Sequence, residues 1–412
     1  MFEREKLEMY ANLIVKKGVN VQPEQPVFIT IPVEVADFAR ILTKSAYEAG
    51  ASEVYVHWVD DELSLLKFTY ASDEVLESFP QWEVAKREEF AEKGAAFISV
   101  YASDPDLLKD IDPSRVAKDA KASGQALTKF RSYLMNDEMP WTVVSIPTVG
   151  WAKKVFPNET EEKAVELLWE AIQKTVRLNE ADPIAAWDRH NETLEQLRTK
   201  LNEKQYEKLI FTAPGTKLEV GLPKGHIWHG GAAVSQKGTV FNPNMPTEEV
   251  FSAPHKYNVN GTVSSTKPLH YGGSVIDGFT LTFKDGEVVD FSAEQGEEVL
   301  EHLLNTDEGA KRLGEVALVP HESPISQSGI VFYNTLFDEN ASCHLALGKA
   351  YPTNVEGGEK MDEKALDENG INDSMVHVDF MIGSEEMNID GVLADGKKEP
   401  VFRNGTWAGQ FK

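Results

Sequence analysis

The second half of the chain carries imidazoles and carboxylates inside apolar segments. His377 and Asp379 lie two residues apart in a segment, residues 375–383, where apolar and polar side chains alternate. Such alternation predicts a β-strand, on which residues two apart project from the same face. A buried imidazole beside a buried carboxylate is costly unless a partner satisfies both, and a divalent metal ion is such a partner. The alternative is a hydrogen-bonded His–Asp pair on a solvated strand face.

Two further segments place carboxylates beside apolar sequence. Glu248 and Glu249 lie between two prolines, which restrict the backbone around them. We expect one of these carboxylates to turn inward as a ligand while its neighbour faces solvent; the alternative is a capping threonine with charged surface neighbours. Glu315 comes directly after Gly314 at the start of an apolar strand, where metal ligands are common.

A third segment holds Glu339 and His344, with Asp338 as the adjacent alternative carboxylate and Tyr351 seven residues after the histidine. Carboxylates combined with two imidazoles suit one or two Zn²⁺, Co²⁺ or Mn²⁺ ions. Two ions would need a bridging carboxylate and would serve hydrolysis. The candidate metal ligands are Glu249, Glu315, Glu339, His344, His377 and Asp379.

Several familiar motifs are absent from the sequence. No strand leads into a Gly-x-Gly-x-x-Gly turn or a phosphate-binding Gly-x-x-x-x-Gly-Lys-Ser/Thr loop, so no nucleotide site is predicted. His321 is followed by glutamate but not by the second histidine of a single-helix zinc protease site. We expect His226 and His229 to line a pocket, and Cys343 to be a small buried apolar residue.

The elements that must position these residues differ between the two halves. Up to about residue 205, apolar strands alternate with amphipathic helices, which predicts βαβ units and a parallel sheet. Beyond it the strands are short, and residues 284–287 have the composition of a hairpin turn. We therefore expect an N-terminal α/β domain, residues 1–205, and a mixed, largely antiparallel α+β domain with the metal site, residues 206–412. Strands are predicted in the first half at 27–31, 54–59, 96–100 and 141–146, with helices at 5–18, 33–49, 61–70, 82–93, 159–177 and 182–203.

Composition restricts the function classes. The 412 residues exceed what one hydrophobic core supports. The net charge of -26 argues against nucleic acid, which binds basic surfaces. No apolar run approaches the ~20 residues of a membrane span, and the charged N-terminus lacks a signal-peptide core. The single cysteine fits a reducing compartment, so we expect a cytoplasmic protein with no nucleic-acid or membrane partner.

The order of the polar segments resembles one family, the thermophilic metalloaminopeptidases of the aminopeptidase T and aminopeptidase S type. The resemblance extends over essentially the whole chain, and the Thr-Leu-Phe-Asp-Glu-Asn segment with a histidine five residues after its glutamate is its most specific part. The residues that carry it are 246–251, 314–315, 334–341, 344, 348, 351–352 and 377–383.

The resemblance implies a two-metal exopeptidase acting on peptides with a free N-terminus, and a homodimer whose sites face an internal cavity. The native ions would be Zn²⁺, Co²⁺, Mn²⁺ or Mg²⁺. Glu339 is implied as a ligand or as a partner that orients His344. Glu315 or Glu249 would take the proton of the attacking water, and Tyr351 would stabilise the oxyanion. The resemblance also implies that Tyr351 lies at the metal or beside it. The metal ligands that it implies are Glu249, Glu315, His344, His377 and Asp379.

Other function classes fit the same ligand set. An amidase or a phosphoesterase is one alternative; phosphoester substrates usually require basic residues near the metals, for which Lys349 and Arg312 are the nearby candidates. A non-enzymatic metal- or peptide-binding protein is another, and its ions would be coordinatively saturated. A peptidase assay with and without a chelator distinguishes the three.

Overall fold

The computed structural model describes residues 3–271 and 274–412. The chain forms two compact units, each discontinuous in sequence. The first contains the residues up to Asn191 together with Ala232–Pro246 and Val331–Leu336; the second contains Glu192–Gly231, Thr247–Ile330 and Phe337–Lys412. The two domains that we expect, residues 1–205 and 206–412, stay a prediction, because compactness alone does not establish that a segment folds independently.

A parallel sheet with helical connections forms the first unit. Its strands are β1 Val27–Pro32, β2 Val54–Val59, β3 Ala96–Val100 and β4 Trp141–Val144, in the order β2-β1-β3-β4. All three strand pairs are parallel, as helical crossovers require. The predicted N-terminal α/β fold is confirmed. Its helices are α1 Arg4–Leu13, α2 Ala36–Glu48, α3 Asp61–Tyr70, α4 Asp73–Leu76, α5 Gln81–Glu92, α6 Pro113–Ala126, α7 Thr128–Met135, α8 Val149–Val155 and α9 Glu161–Thr175.

Helices α4, α6, α7 and α8 are missing from the sequence-based prediction. In α6 and α7 no side chain is fully buried. Helix α7 is short, and Phe130, Tyr133 and Leu134 pack only partly buried against the apolar cluster around Phe28 and Phe97. A capping signal was present for α6: Pro113 is its first residue, and the side chain of Asp112 accepts a hydrogen bond from Ser114 N–H.

The second unit is mainly antiparallel, as predicted. The predicted hairpin is present, with left-handed φ angles of 51° at Asp285 and 82° at Gly286 in its turn. The strands from residue 205 onward are β5 Lys208–Ala213, β6 Thr216–Gly221, β7 His229–Gly230, β8 Ala233–Val234, β9 Val240–Phe241, β10 Val250–Ser252, β11 Val259–Ser264, β12 Leu269–Tyr271, β13 Ser274–Ile276, β14 Thr280–Lys284, β15 Glu287–Ser292, β16 Leu313–Leu318, β17 His344–Gly348, β18 His377–Met381, β19 Asn388–Val392, β20 Lys398–Arg403 and β21 Thr406–Trp407.

Among the described residues, the strands of the second unit form two larger sheets. One has the order β15-β14-β11-β6-β5-β19-β20-β21; the other, which we name the site sheet, has the order β18-β17-β16-β10-β7. Strands β8 and β9 pair within the first unit, and β12 pairs with β13 in the second. The remaining helices are α10 Pro183–Lys204, α11 Glu297–Leu304, α12 Pro324–Ser328, α13 Thr335–Asp338 and α14 Glu363–Glu368.

One face of the site sheet packs into the apolar core of the second unit. Leu318, Leu345 and Phe380 lie on that face and are almost completely buried. Neighbouring residues of a strand project from opposite faces. The residues next to these therefore form the other face of the site sheet, which is not part of this apolar core. Within the described ranges, no helix has the length and apolar character needed to cross a membrane.

Candidate metal centre

The register of the site sheet brings predicted ligands to one face. Glu315 of β16 pairs with Ala346 of β17, and Ala346 pairs with Asp379 of β18. Directly opposed residues of antiparallel strands project from the same face, as do residues two apart on one strand. His344 and His377 lie two residues before Ala346 and Asp379, so they share this face. The small side chain of Ala346 leaves space above the row for the larger polar groups.

A β-bulge at Gly314 determines the face from which Glu315 projects. Leu313 pairs with Leu347, whereas Glu315 pairs with Ala346, so β16 has one residue more than β17 between these pairs. In a regular ladder Gly314 would pair with Ala346 and Glu315 with Leu345, whose side chain packs in the apolar core. A Cβ atom at Gly314 would overlap main-chain carbonyl oxygens at the end of β17, so the bulge requires glycine.

Glu249 reaches the same face from the residue before β10. Phe251 of β10 pairs with Ala317 of β16, and Glu249 lies two residues before Phe251. Glu248 and Glu249 are each only 6% exposed, so the expectation that one of the two faces solvent is wrong. The main chain runs through the interior at this point, where Glu248 N–H donates a 2.7 Å hydrogen bond to Oδ1 of the buried Asn340.

The imidazole Nε2 atoms lie among the carboxylates. His344 Nε2 is 3.2 Å from Glu249 Oε2 and 3.5 Å from Glu315 Oε1. His377 Nε2 is 3.7 Å from Glu315 Oε2 and 3.5 Å from Asp379 Oδ1. Among the described residues, these side chains form two groups of three whose ligand atoms all lie within 4.8 Å of one another. Because Glu315 belongs to both groups, one carboxylate connects them.

Main-chain carbonyl groups fix the tautomer of both imidazoles. His344 Nδ1 lies 3.1 Å from Ser342 O, and His377 Nδ1 lies 2.6 Å from Lys349 O. A carbonyl oxygen can only accept, so in each neutral ring Nδ1 carries the proton and Nε2 presents a lone pair. Two lone pairs then face carboxylate oxygens at 3.2–3.7 Å, which is repulsive unless a cation lies between them.

Two buried oxygen atoms test whether a metal ion fits. With both imidazoles neutral, Glu249 Oε2 and Asp379 Oδ1 are buried and have no hydrogen-bond partner within the part of the chain that the structure describes. Leaving such atoms unpaired is costly, and a divalent cation would satisfy both. Carboxylate oxygen and imidazole nitrogen are ligand atoms that Zn²⁺, Co²⁺ and Mn²⁺ accept. The residues present therefore fit a divalent metal ion.

The pKa values of His344 and His377 are raised because both rings lie among buried carboxylates. Burial acts to lower the pKa of His377, but the carboxylates of Asp379 and Glu315 raise it to about 10. Burial likewise opposes protonation of His344, yet Glu249 and Glu315 raise its pKa well above the ordinary value. In the absence of metal, protons supply the positive charge that the carboxylates require.

Glu339 and Tyr351 lie beside these two groups. Glu339 begins a 3₁₀ turn, Glu339–Ala341, and lies outside both groups of three. Burial raises its pKa well above the ordinary value, and the negative charge of Glu249 raises it further. The ring of Tyr351 lies 5.5 Å from that of His377 and 6.0 Å from that of Phe251. Burial, followed by the charge of Glu315, raises the pKa of Tyr351, so its phenol stays protonated.

Of the two histidines expected to line a pocket, His229 lies nearer the site. It pairs with Phe251 and therefore projects from the site face of β7, where its Nε2 atom is 2.9 Å from Thr353 O. His226 is buried, with Nδ1 3.0 Å from Pro223 O, and belongs to neither metal-ligand group. Cys343 is buried in the apolar core, as predicted.

Comparisons with known proteins agree with the resemblance seen in the sequence. Aminopeptidase 2 of Geobacillus stearothermophilus is 58% identical over 402 residues, covering 98% of this chain and 97% of that protein. Aminopeptidase AmpS of Bacillus subtilis is 54% identical over 404 residues, covering 98% of each chain. The solved structure of wild-type AmpT from Thermus thermophilus superimposes with a TM-score of 0.93 at 43% identity, over 98% of this chain and 99% of that chain.

A family model supplies the remaining comparison. The model described as thermophilic metalloprotease (M29) matches residues 3–407. This range includes every residue of the two groups around Glu315. The predicted family relationship is confirmed, and the chain belongs to the thermophilic metalloprotease family M29.

Proposed function

We propose that the chain is a metal-dependent aminopeptidase that hydrolyses the N-terminal peptide bond of peptides. The observation that carries the proposal is the position of Glu315 in both groups of carboxylate and imidazole ligands. One carboxylate shared by two ligand groups suits a pair of ions, and paired ions commonly serve hydrolysis. The names of the similar proteins, aminopeptidase 2 and aminopeptidase AmpS, support the same activity.

The proposed centre holds two divalent ions, Zn²⁺, Co²⁺, Mn²⁺ or Mg²⁺. Glu249, Glu315 and His344 would hold one ion, and Glu315, His377 and Asp379 would hold the other. These are the two groups of three whose ligand atoms lie within 4.8 Å of one another. When bound, such ions act as Lewis acids that lower the pKa of water and polarise the scissile carbonyl. The buried oxygens of Glu249 and Asp379, which have no hydrogen-bond partner among the described residues when both imidazoles are neutral, support this assignment.

We propose Glu339 as the carboxylate that takes the proton from the attacking water and passes it to the leaving amine. The sequence suggested Glu315 or Glu249 for this role. Both of these carboxylates belong to the ligand groups, whereas Glu339 lies outside them. In the metal-free protein, burial and the nearby Glu249 raise the pKa of Glu339, so this carboxylate takes up a proton more readily than an ordinary glutamate does.

Tyr351 would stabilise the developing oxyanion. Its pKa is raised by burial and by Glu315, so the phenol is a hydrogen-bond donor rather than a phenolate. Its ring lies 5.5 Å from the ring of His377, so the side chain borders the proposed centre. The free amine of a peptide would need a metal or an acidic anchor, and the carboxylate-rich proposed centre would supply one, which accounts for exopeptidase character.

The two basic residues that a phosphoesterase would require have other partners. Arg312 donates to Lys256 O at 3.0 Å and forms an ion pair with Glu287. Lys349 pairs with Asp373 at 3.1 Å. Both side chains are therefore engaged by protein groups, and no specific observation favours phosphoester substrates.

Release of the N-terminal residue from Leu- and Arg-initiated peptides tests the proposal. The purified protein is assayed as prepared, after chelation, and after addition of Co²⁺, Zn²⁺, Mn²⁺ or Mg²⁺. We expect activity to be lost on chelation and restored by at least one metal, with N-acetylated peptides uncleaved. Activity that survives complete metal removal would contradict the proposal, and cleavage of N-acetylated peptides would contradict the exopeptidase assignment.

We further propose that the enzyme is a cytoplasmic homodimer. The single cysteine supports a reducing compartment. The exposed apolar side chains of Leu63, Leu66 and Tyr70 along α3 support self-association. Light scattering of the purified protein should give twice the mass of 45.9 kDa, and a monomer at micromolar concentration would contradict the dimer.

A further inference from the structure

We infer that Asn340 is a positioning residue that holds the general base Glu339 and the main chain preceding the metal ligand Glu249 in a single arrangement. The inference rests on the proposed function. Asn340 is completely buried. Its carboxamide contacts two segments that are far apart in sequence, and these segments carry different parts of the proposed centre.

The first contact is made by the carboxamide oxygen. Oδ1 of Asn340 accepts a 2.7 Å hydrogen bond from Glu248 N–H. The pairing of β10 with β16 begins only at Val250, so the sheet ladder does not hold the main chain at Glu248 and Glu249. The hydrogen bond to Asn340 thus fixes the peptide between Thr247 and Glu248, and with it the main chain from which Glu249, the next residue, extends.

The second contact follows from the first. A main-chain N–H can only donate, so the oxygen of the carboxamide must face Glu248 and the NH₂ group must face the other way. There Nδ2 lies 3.4 Å from Oε1 of Glu339, to which it can donate. One oxygen of Glu339 is thereby occupied, which leaves the other for the reaction.

The main chain at Asn340 is itself anchored. Its carbonyl oxygen accepts a hydrogen bond from Ser323 Oγ at 3.2 Å, and Ser323 is buried and begins α12 by accepting from Ser326 N–H. The carboxamide therefore extends from a fixed backbone position. Residues that orient metal ligands in this way typically change metal affinity or activity by about 10–100-fold when replaced.

Two substitutions separate the contacts. Asn340→Asp keeps an oxygen acceptor for Glu248 N–H but places a second oxygen, without a proton, against Glu339. Asn340→Ala removes both contacts. The control is Asn242→Ala in the first unit, because Asn242 is also buried, at 1% exposure, and donates to a main-chain carbonyl, Lys17 O, at 2.7 Å.

Each variant is examined for folding by circular dichroism, for Zn²⁺ and Mn²⁺ affinity by competition with a fluorescent chelator, and for kcat and KM. We expect Asn340→Asp to fold, to bind metal no more weakly than the wild type, and to lose at least about tenfold in kcat with KM little changed. Asn340→Ala should lose at least about tenfold in metal affinity as well. Asn242→Ala should lose thermal stability only.

Wild-type kcat in Asn340→Asp would overturn the contact to Glu339, and wild-type metal affinity in a folded Asn340→Ala would overturn the contact to Glu248. Should Asn340→Ala not fold, Asn340→Asp still tests the inference through kcat. If the wild-type protein itself shows no chelator-sensitive peptidase activity, the proposed function fails instead. Metal competition would then still report whether Asn340 positions Glu249.

Discussion

Glu315 and Asp379 lie in one row across the site sheet, separated only by Ala346 of the strand between them. The alignment depends on the bulge at Gly314, because a regular ladder would turn Glu315 toward the core. The orientation of Glu315, a proposed metal ligand, thus depends on a residue that has no side chain. This relationship leads to a first prediction.

Gly314→Ala should impair both folding and metal binding. The added methyl group would meet the main-chain oxygens of Gly348 and Lys349, which already accept hydrogen bonds from the side chains of Asn372 and His377. We expect the free energy of unfolding to fall by about 1–3 kcal/mol, as for other overpacked sites, and metal affinity to fall with it. Gly409→Ala is the control, since a Cβ there meets nothing within 4 Å. Wild-type metal affinity in a folded Gly314→Ala would contradict the role of the bulge.

Glu339→Gln and Glu249→Gln should differ in their metal content. Glu339 lies outside the two candidate ligand groups, so its amide variant should keep its bound metal. If Glu339 is the proposed general base, kcat should fall by about 10²–10⁴-fold. Glu249→Gln should lose metal as well as activity. The metal content and kcat of both dialysed variants are measured and compared with those of the wild type. Loss of metal from Glu339→Gln would instead make Glu339 a ligand.

Tyr351→Phe should lower kcat while metal content stays unchanged. The substitution removes the phenol group but keeps the ring that packs against Phe251 and His377. Loss of one oxyanion donor costs up to about 10²–10³ in kcat in other enzymes. Turnover equal to that of the wild type, measured with intact metal content, would remove the oxyanion role from Tyr351.

Metal binding should release protons. In the metal-free protein the carboxylates raise the pKa of His377 to about 10 and that of His344 well above its ordinary value, so both rings are protonated at neutral pH. Because a ligating imidazole must be neutral, each displaced proton makes apparent affinity rise tenfold per pH unit below the pKa. We expect at least a tenfold rise per unit between pH 6 and pH 8. Titration calorimetry in buffers of different ionisation enthalpy measures the protons, and equal heats in all buffers would contradict the prediction.

Asp137→Asn should stabilise the protein at neutral pH. Burial raises the pKa of Asp137 to about 6, against a smaller opposing effect of the Trp141 indole N–H. The folded state therefore keeps a proton that the unfolded state loses at about pH 4, and stability falls as the pH rises from about 4 to about 6. The cost above pH 6 is about 3 kcal/mol. Asparagine keeps the acceptor for Trp141 and tolerates the φ of 50°.

Thermal unfolding of Asp137→Asn and the wild type across pH 4–8 examines this prediction. The stabilisation should be largest at pH 7 and should vanish near pH 4, where the aspartate is protonated in both states. Asp110→Asn, at an exposed position, should show no such pH-dependent difference. A constant difference between Asp137→Asn and the wild type at all pH values would show that charge is not its cause.

The sequence predicted those features that depend on local periodicity. Alternation along residues 375–383 was sufficient to place His377 and Asp379 on one strand face. Local pattern could not reveal the pairing of Glu315 with Ala346, because a bulge changes the register by one residue only after the strands have paired. Burial of Glu248 was hidden for a similar reason, since its hydrogen-bond partner Asn340 lies 92 residues away in sequence.

The two carbonyl groups that orient His344 and His377 lie at opposite ends of strand β17. Ser342 O, which accepts from His344, precedes the strand, and Lys349 O, which accepts from His377, follows it. The spacing between the rings is therefore tied to the length of one five-residue strand. An insertion or deletion of a single residue within β17 would shift one carbonyl relative to the other and reverse the face of every residue beyond it. Length variation among natural or engineered relatives should accordingly be confined to the connecting loops and excluded from this strand.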